Sequence, residues 1–292
     1  MNENMLEIKN LTKKFDGFTL DNVNFSLPKG AITGLIGENG AGKTTLIKLI
    51  MNMYGRESGE IKGVGGLDNV SDEPEFKERV GYVADEDYLY YNSKMSDIAA
   101  AFSVAFERWD ERIFENYVDL WKLPLDKKAG EMSKGTKTKM MLALALAHKP
   151  ELLILDEPTA GLDPAARIEV LDILRDFVSD GEHSVLFSTH LTSDLDKVAD
   201  YIVMVIDGKI ACDMRADEIE EKFAVVTCDN SELEAAKDIL IGVRKGTGSF
   251  EALVERKNLS RLKNPGVRTP NFENLLTFFI WQHRKEVVDN DR

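Results

Sequence analysis

The sequence predicts an α/β fold: a mainly parallel sheet, an antiparallel β subdomain, a helical insert and a small C-terminal α+β extension. Three observations carry this. Residues 32–50, ITGLIGENGAGKTTLIKLI, pass from an apolar strand through a glycine-rich loop into an amphipathic helix. Two more apolar runs, LLIL (152–155) and SVLFSTH (184–190), have the near-continuous hydrophobicity of strands buried on both faces. Each is followed by a helical pattern, and core strands alternating with helices imply a parallel, layered sheet.

The elements follow in order. Residues 6–27 alternate apolar and polar and predict two antiparallel strands joined around Asp16-Gly17. The helix from Lys43 ends near Gly55. Residues 58–62 predict a strand, 63–66 a loop, 73–78 a short helical turn and 79–83 a second core strand. DEDYLYYN (85–92) is an acidic, aromatic loop. Apolar spacings of three and four then predict two helices from Met95, broken near Trp109-Asp110, and a third over Thr136–His148. Residues 88–148 thus form the helical insert. Pro164 suits a helix start, and the next helix covers Ile168–Val178. A polar helix is expected over 192–198. YIVMVIDGKIACD predicts a hairpin turning at Asp207-Gly208.

ADEIEEKF, from Ala216, predicts a linking helix. The expected organisation is a 1–215 unit and a 216–292 extension. In the extension FAVVT predicts a strand, SELEAAKDILIG a helix, 246–248 a turn and NFENLLTFFIWQ a final amphipathic helix.

Composition narrows the function. The 292 residues carry 37 Lys+Arg against 51 Asp+Glu, a net charge of −14. That argues against a general nucleic-acid surface, which needs clustered cations, so no nucleic-acid partner is expected. Two cysteines make no disulfide framework, and the histidines have no zinc spacing. The N-terminus lacks a signal pattern, and the longest apolar run, Met140–Ala147, is far short of a membrane span. A soluble protein is expected, so any transport role needs a separate membrane subunit.

The chemistry starts at the glycine-rich loop. Gly37, Gly42, Lys43 and Thr44 fit G-x-x-x-x-G-K-[ST], and Gly40 adds backbone freedom. Amides of such a loop, with the helix N-terminus behind them, form an anion cradle. Lys43 would neutralise β- and γ-phosphates, and the Thr44 hydroxyl would hold Mg²⁺. Asp156 ends an apolar strand, so its carboxylate would emerge beside this loop and hold Mg²⁺ through water. Glu157 would accept a proton from water attacking the γ-phosphate. Phe15 has two readings, strand packing or a ring stacked on adenine.

These residues, in this order, resemble the ATPase subunit of an ATP-binding cassette (ABC) transporter across residues 4–215, with a P-loop NTPase core. Residues 37–45 match the Walker A loop, which makes Glu38, Asn39, Ala41 and Thr45 nucleotide-binding with Gly37, Gly40, Gly42, Lys43 and Thr44. Residues 152–157 match Walker B. Phe15 sits at the adenine-stacking position. MSKGT (132–136) stands where the family signature reads LSGGQ, AGLD (160–163) resembles the D-loop, and His190 falls at the switch histidine. The resemblance implies ATP and Mg²⁺ as cofactors, Glu157, His190 and Lys43 as catalytic groups, and Ser133 and Gly135 as nucleotide contacts. Ser133 would also serve as an ordinary helix N-cap.

It further implies a head-to-tail dimer with a second ATPase subunit, identical or a paralogue, around two ATP molecules. The dimer would drive an integral membrane permease subunit through the loop from Asp85 to Tyr91. That places the chain in the cytoplasm, peripheral on the inner face of the cell membrane. Two departures stand out. Asp85 replaces the usual Gln that contacts Mg²⁺; it is still an oxygen ligand, but its charge would repel the γ-phosphate and slow or gate hydrolysis. Lys134 and Thr136 replace Gly and Gln of the signature, and the S-K-G form resembles drug, antibiotic and peptide exporter-type ATPases. Two rivals remain. A soluble cassette remodelling ribosomes or nucleic acid usually has tandem cassettes, coiled coils or basic arms. A regulatory module without activity would not need Lys43, Asp156, Glu157 and His190 intact.

Overall fold

A computed structural model describes residues 4–85 and 91–290. The chain opens with the antiparallel pair β1 (Asn4–Phe15) and β2 (Phe18–Pro28), then β3 (Ile32–Ile36) and α1 (Lys43–Ile50). β4 (Ser58–Gly63), β5 (Leu67–Asp68), α2 (Glu73–Glu78) and β6 (Val80–Val83) lead to the helical insert: α3 (Met95–Ala105), α4 (Glu111–Trp121) and α5 (Lys134–Ala147). β7 (Leu152–Asp156), α6 (Pro164–Val178), β8 (Ser184–Thr189) and α7 (Thr192–Val198) return to the core, and β9 (Tyr201–Ile206) pairs with β10 (Lys209–Arg215). The extension holds α8 (Ala216–Lys222), β11 (Phe223–Asp229), α9 (Leu233–Ala236), β12 (Leu240–Lys245), β13 (Ser249–Glu255), β14 (Gly266–Arg268) and α10 (Phe272–Asn290).

The central sheet has the order β10-β9-β3-β8-β7-β6, and every pair but the β9–β10 hairpin is parallel. This is the mainly parallel sheet the sequence predicts. All residues of β3, β7 and β8 are buried, which is why their sequences run apolar instead of alternating. The second sheet, β2-β1-β4-β5, is antiparallel, and its alternation reflects one face packed on the core.

The helical insert has its own small core of Met95, Ile98, Phe114, Leu123, Met140 and Leu144. α5 belongs to two cores, because Leu142, Ala145 and Leu146 pack into the central one. His148, at the end of α5, ties the insert to β6. It is buried, stacks on Phe106 at 4.1 Å, and its Nε2 lies 3.3 Å from the Val80 carbonyl.

Burial pulls the His148 pKa from 6.5 down to about 4, so the folded state holds it neutral. A base whose folded pKa is depressed contributes fully above its unfolded pKa. That contribution is lost as pH falls from about 6.5 to about 4, at a cost of about 3 kcal/mol. Urea unfolding at pH 7.5 and 4.5 should show this loss, and His148→Gln should flatten it. Equal losses in both proteins would disprove the assignment.

The extension carries a third sheet, β12-β13-β11-β14. One face, with Val225 and Leu253, joins α10 and the central core; the other, with Ala224, Val226 and Val254, covers a small core of its own. The helix expected over 231–242 is not formed. Only Leu233–Ala236 is helical, and Leu240–Lys245 is strand β12. Pairing with β13 and packing under α10 override the helical spacing there. Gly242, at φ +60 and at a register shift, lets the strand pass against the Phe278 backbone, where a Cβ would collide.

Candidate active site

Because β3, β7 and β8 are parallel neighbours, their C-terminal ends share one sheet edge. Three loops meet there: 37–42 after β3, Asp156-Glu157 at the end of β7, and Thr189-His190 at the end of β8. Gly42 caps α1 at φ +112, and a Cβ there would press on the Phe18 ring at 2.9 Å. Glycine is therefore required for the turn from loop to helix.

Lys43 is buried, and its ammonium turns back into the loop, donating to the carbonyls of Gly37 (2.8 Å) and Glu38 (3.2 Å). Burial lowers its pKa, and the negative charges of Glu157 and Asp156 oppose that shift. The Thr44 hydroxyl donates to Asp156 Oδ2 at 2.8 Å. Asp156 Oδ1 is buried and makes no well-formed hydrogen bond; the Ser188 hydroxyl, on the residue opposite in the β7–β8 register, lies close enough to act on the carboxylate. Burial pushes the Asp156 carboxyl up; the charges of Glu157 and Asp85 act the same way, and hydrogen bonds from Thr44 and Ser188 oppose them. A buried carboxylate held by hydroxyls beside an ammonium is suited to a hard cation accompanied by phosphate.

Glu157 has φ +51, a left-handed conformation uncommon outside glycine. Its amide donates to the Ser188 carbonyl at 2.9 Å. Its Oε2 accepts from the Thr189 hydroxyl (3.1 Å) and from His190 Nδ1 (2.8 Å). The Glu157 side chain is 10% exposed and that of His190 46%, so the pair sits at the mouth of the site. Strain held by such contacts is a common property of functional loops.

Phe15, at the end of β1, is 39% exposed rather than packed in the core. Its ring meets Tyr54 edge-on at 5.6 Å, with Lys13 Nζ 5.5 Å from its centroid. The sequence singles out Phe15 but not Tyr54, whose signal is an aromatic residue just beyond α1. Ser133 is the N-cap of α5, accepting from the Thr136 amide at 3.2 Å, and the Thr136 hydroxyl lies 2.9 Å from it. Ser133 and Gly135 line a polar hollow of about 340 Å³ with Trp121, Lys139 and Leu162, separate from the hollow at the phosphate loop.

Asp85 Oδ1 lies 2.6 Å from Lys134 Nζ. Tyr91 is exposed, whereas Glu86, Asp87, Tyr88 and Tyr90 lie outside the described residues. An unforeseen contact comes from the extension: Arg284 of α10 donates to Glu38 Oε1 at 2.7 Å. Together with Asn39, Gly40 and Asp207 these residues border a hollow of about 580 Å³ against the phosphate loop.

The chain is similar to known proteins. The ABC transporter family model matches residues 20–160. The lantibiotic transport ATP-binding protein SrtF of Streptococcus pyogenes is 34% identical over 226 residues, covering 75% of this chain and 96% of its own. The ABC transporter ATP-binding protein YtrB of Bacillus subtilis (strain 168) is 30% identical over 220 residues, 75% of each chain. A solved ATP-binding subunit of an ABC transporter superposes with a TM-score of 0.68 at 26% identity, covering 74% of this chain and 92% of that one. The chain belongs to the ABC transporter family as an ATP-binding subunit. It is an ATPase, the energy-coupling component of a transporter. Among the described residues no helix is long and apolar enough to cross a membrane.

Proposed function

We propose that two cassettes, two copies of this chain or one with a paralogue, close head-to-tail around two Mg-ATP and drive an integral membrane permease subunit. The convergence of Lys43, Thr44, Asp156, Glu157 and His190 on one sheet edge carries this reading. Phe15 offers its exposed face to the adenine, and residues 37–45 hold the phosphates. Thr44 and Asp156, with Asp85 nearby, would hold Mg²⁺, which when bound spreads the charge of the β- and γ-phosphates. Glu157 is the base for the attacking water, and His190 fixes it and faces the γ-phosphate.

Ser133 and Gly135 complete the opposite copy's site: a capped helix N-terminus in an open polar hollow suits an incoming phosphate. Exposed Tyr91, and Val104 and Leu120 on the insert, offer apolar surface to a permease. The chain then sits on the cytoplasmic face of the membrane. Its relative SrtF is named for lantibiotic transport, and MSKGT resembles exporter-type signatures, which together favour a peptide or drug cargo.

The test is the dependence of ATPase rate on protein concentration. Specific activity should rise with concentration, and Ser133→Arg should remove the rise while ATP still binds. A concentration-independent rate that Ser133→Arg leaves intact would overturn the head-to-tail arrangement.

A further inference from the structure

The two places where this chain departs from its family's pattern touch each other. Asp85 follows β6, and Lys134 opens α5, 49 residues later; their charged atoms are 2.6 Å apart. The side chains are 40% and 52% exposed, so the pair adds little to folding stability. Its position is more informative. The stem of Lys134 lies along the 160–163 turn, where a Cβ on Gly161 would stand 3.4 Å from Lys134 Cδ. On the other side, the charge of Asp85 acts on Asp156, the buried carboxylate bonded by Thr44. One ammonium therefore links the loop after β6, the start of the insert's last helix and the turn before α6, beside the cation-binding acid.

We propose that Lys134 is a positioning residue: its ion pair holds the Asp85 carboxylate to the helical insert and limits the negative charge that Asp85 presents to incoming Mg-ATP. This rests on the assignment of Asp156 to the cation. The pair couples the insert to the nucleotide site within one chain. An acid at position 85 is tolerable because a cation stands at 134. Without Lys134, Asp85 is free to face the phosphates and repel them.

The test is a double-mutant cycle on KM for Mg-ATP and on kcat. Lys134→Gln should raise KM about fivefold, with a smaller change in kcat, as expected for losing one exposed charge contact. Lys134→Arg should restore KM. In an Asp85→Asn background, Lys134→Gln should change KM by less than about twofold, since no carboxylate remains to be held. A role confined to packing on Gly161 would give the same change in both backgrounds, and that result would overturn the proposal, as would an unchanged KM in Lys134→Gln alone. A wild-type protein without Mg-dependent turnover would refute the functional reading instead.

Discussion

Glu157→Gln should lower ATP turnover by about 10²–10⁴-fold, the range for losing a positioned general base, while nucleotide binding persists. The side chain is little exposed and its Oε2 accepts from Thr189 and His190. Glutamine has the same length and still offers a carbonyl oxygen to both donors, so the geometry survives. What disappears is the basic oxygen proposed to take the water's proton. With hydrolysis blocked and ATP held, the closed dimer should accumulate, visible as an ATP-dependent shift to twice the monomer mass on gel filtration. A variant that hydrolyses at the wild-type rate would remove Glu157 from the base role. One that no longer binds ATP would show that the change had damaged the site.

The parts of this site that sequence revealed are those set by local rules. Gly37, Gly42, Lys43 and Thr44 are close in the chain, and the strand–loop–helix around them is short. Asp156 is legible because it ends a fully buried strand and His190 because it directly follows another, and parallel neighbours put their ends on the same edge. The antiparallel pair was legible through its period-two alternation.

What the sequence concealed depends on long-range placement. Nothing local to Asp85 points to Lys134, and nothing near Glu38 points to Arg284, 246 residues away. The helix expected over 231–242 failed for a related reason. Leu233, Ala236 and Leu240 recur at spacings of three and four that suit a helix, but β13 offers a partner strand and α10 a cover, and tertiary packing outweighs weak local preference.

Asp156→Asn should separate function from stability. Mg²⁺-dependent nucleotide binding is expected to weaken by about 10–100-fold, the loss typical of disturbing a metal's supporting groups, and turnover should fall at least as far. The fold should not suffer. The Thr44 hydroxyl can donate to the amide oxygen as it does to the carboxylate, and the Ser188 hydroxyl beside it can turn to accept from the new NH₂. Burial raises the Asp156 pKa above 3.8, so in the folded state the charged form is disfavoured. For an acid raised in this way, the unfavourable contribution is fully present above the folded pKa. It fades as pH falls towards the unfolded value. The variant should therefore melt at or above the wild-type temperature at pH 7, and the difference should close on acidification towards pH 4. A natural site that gives up stability for a cation it must bind would behave this way. A lower melting temperature at pH 7 would mean that the carboxylate serves the fold, and unchanged Mg²⁺ dependence would mean that the cation is held elsewhere.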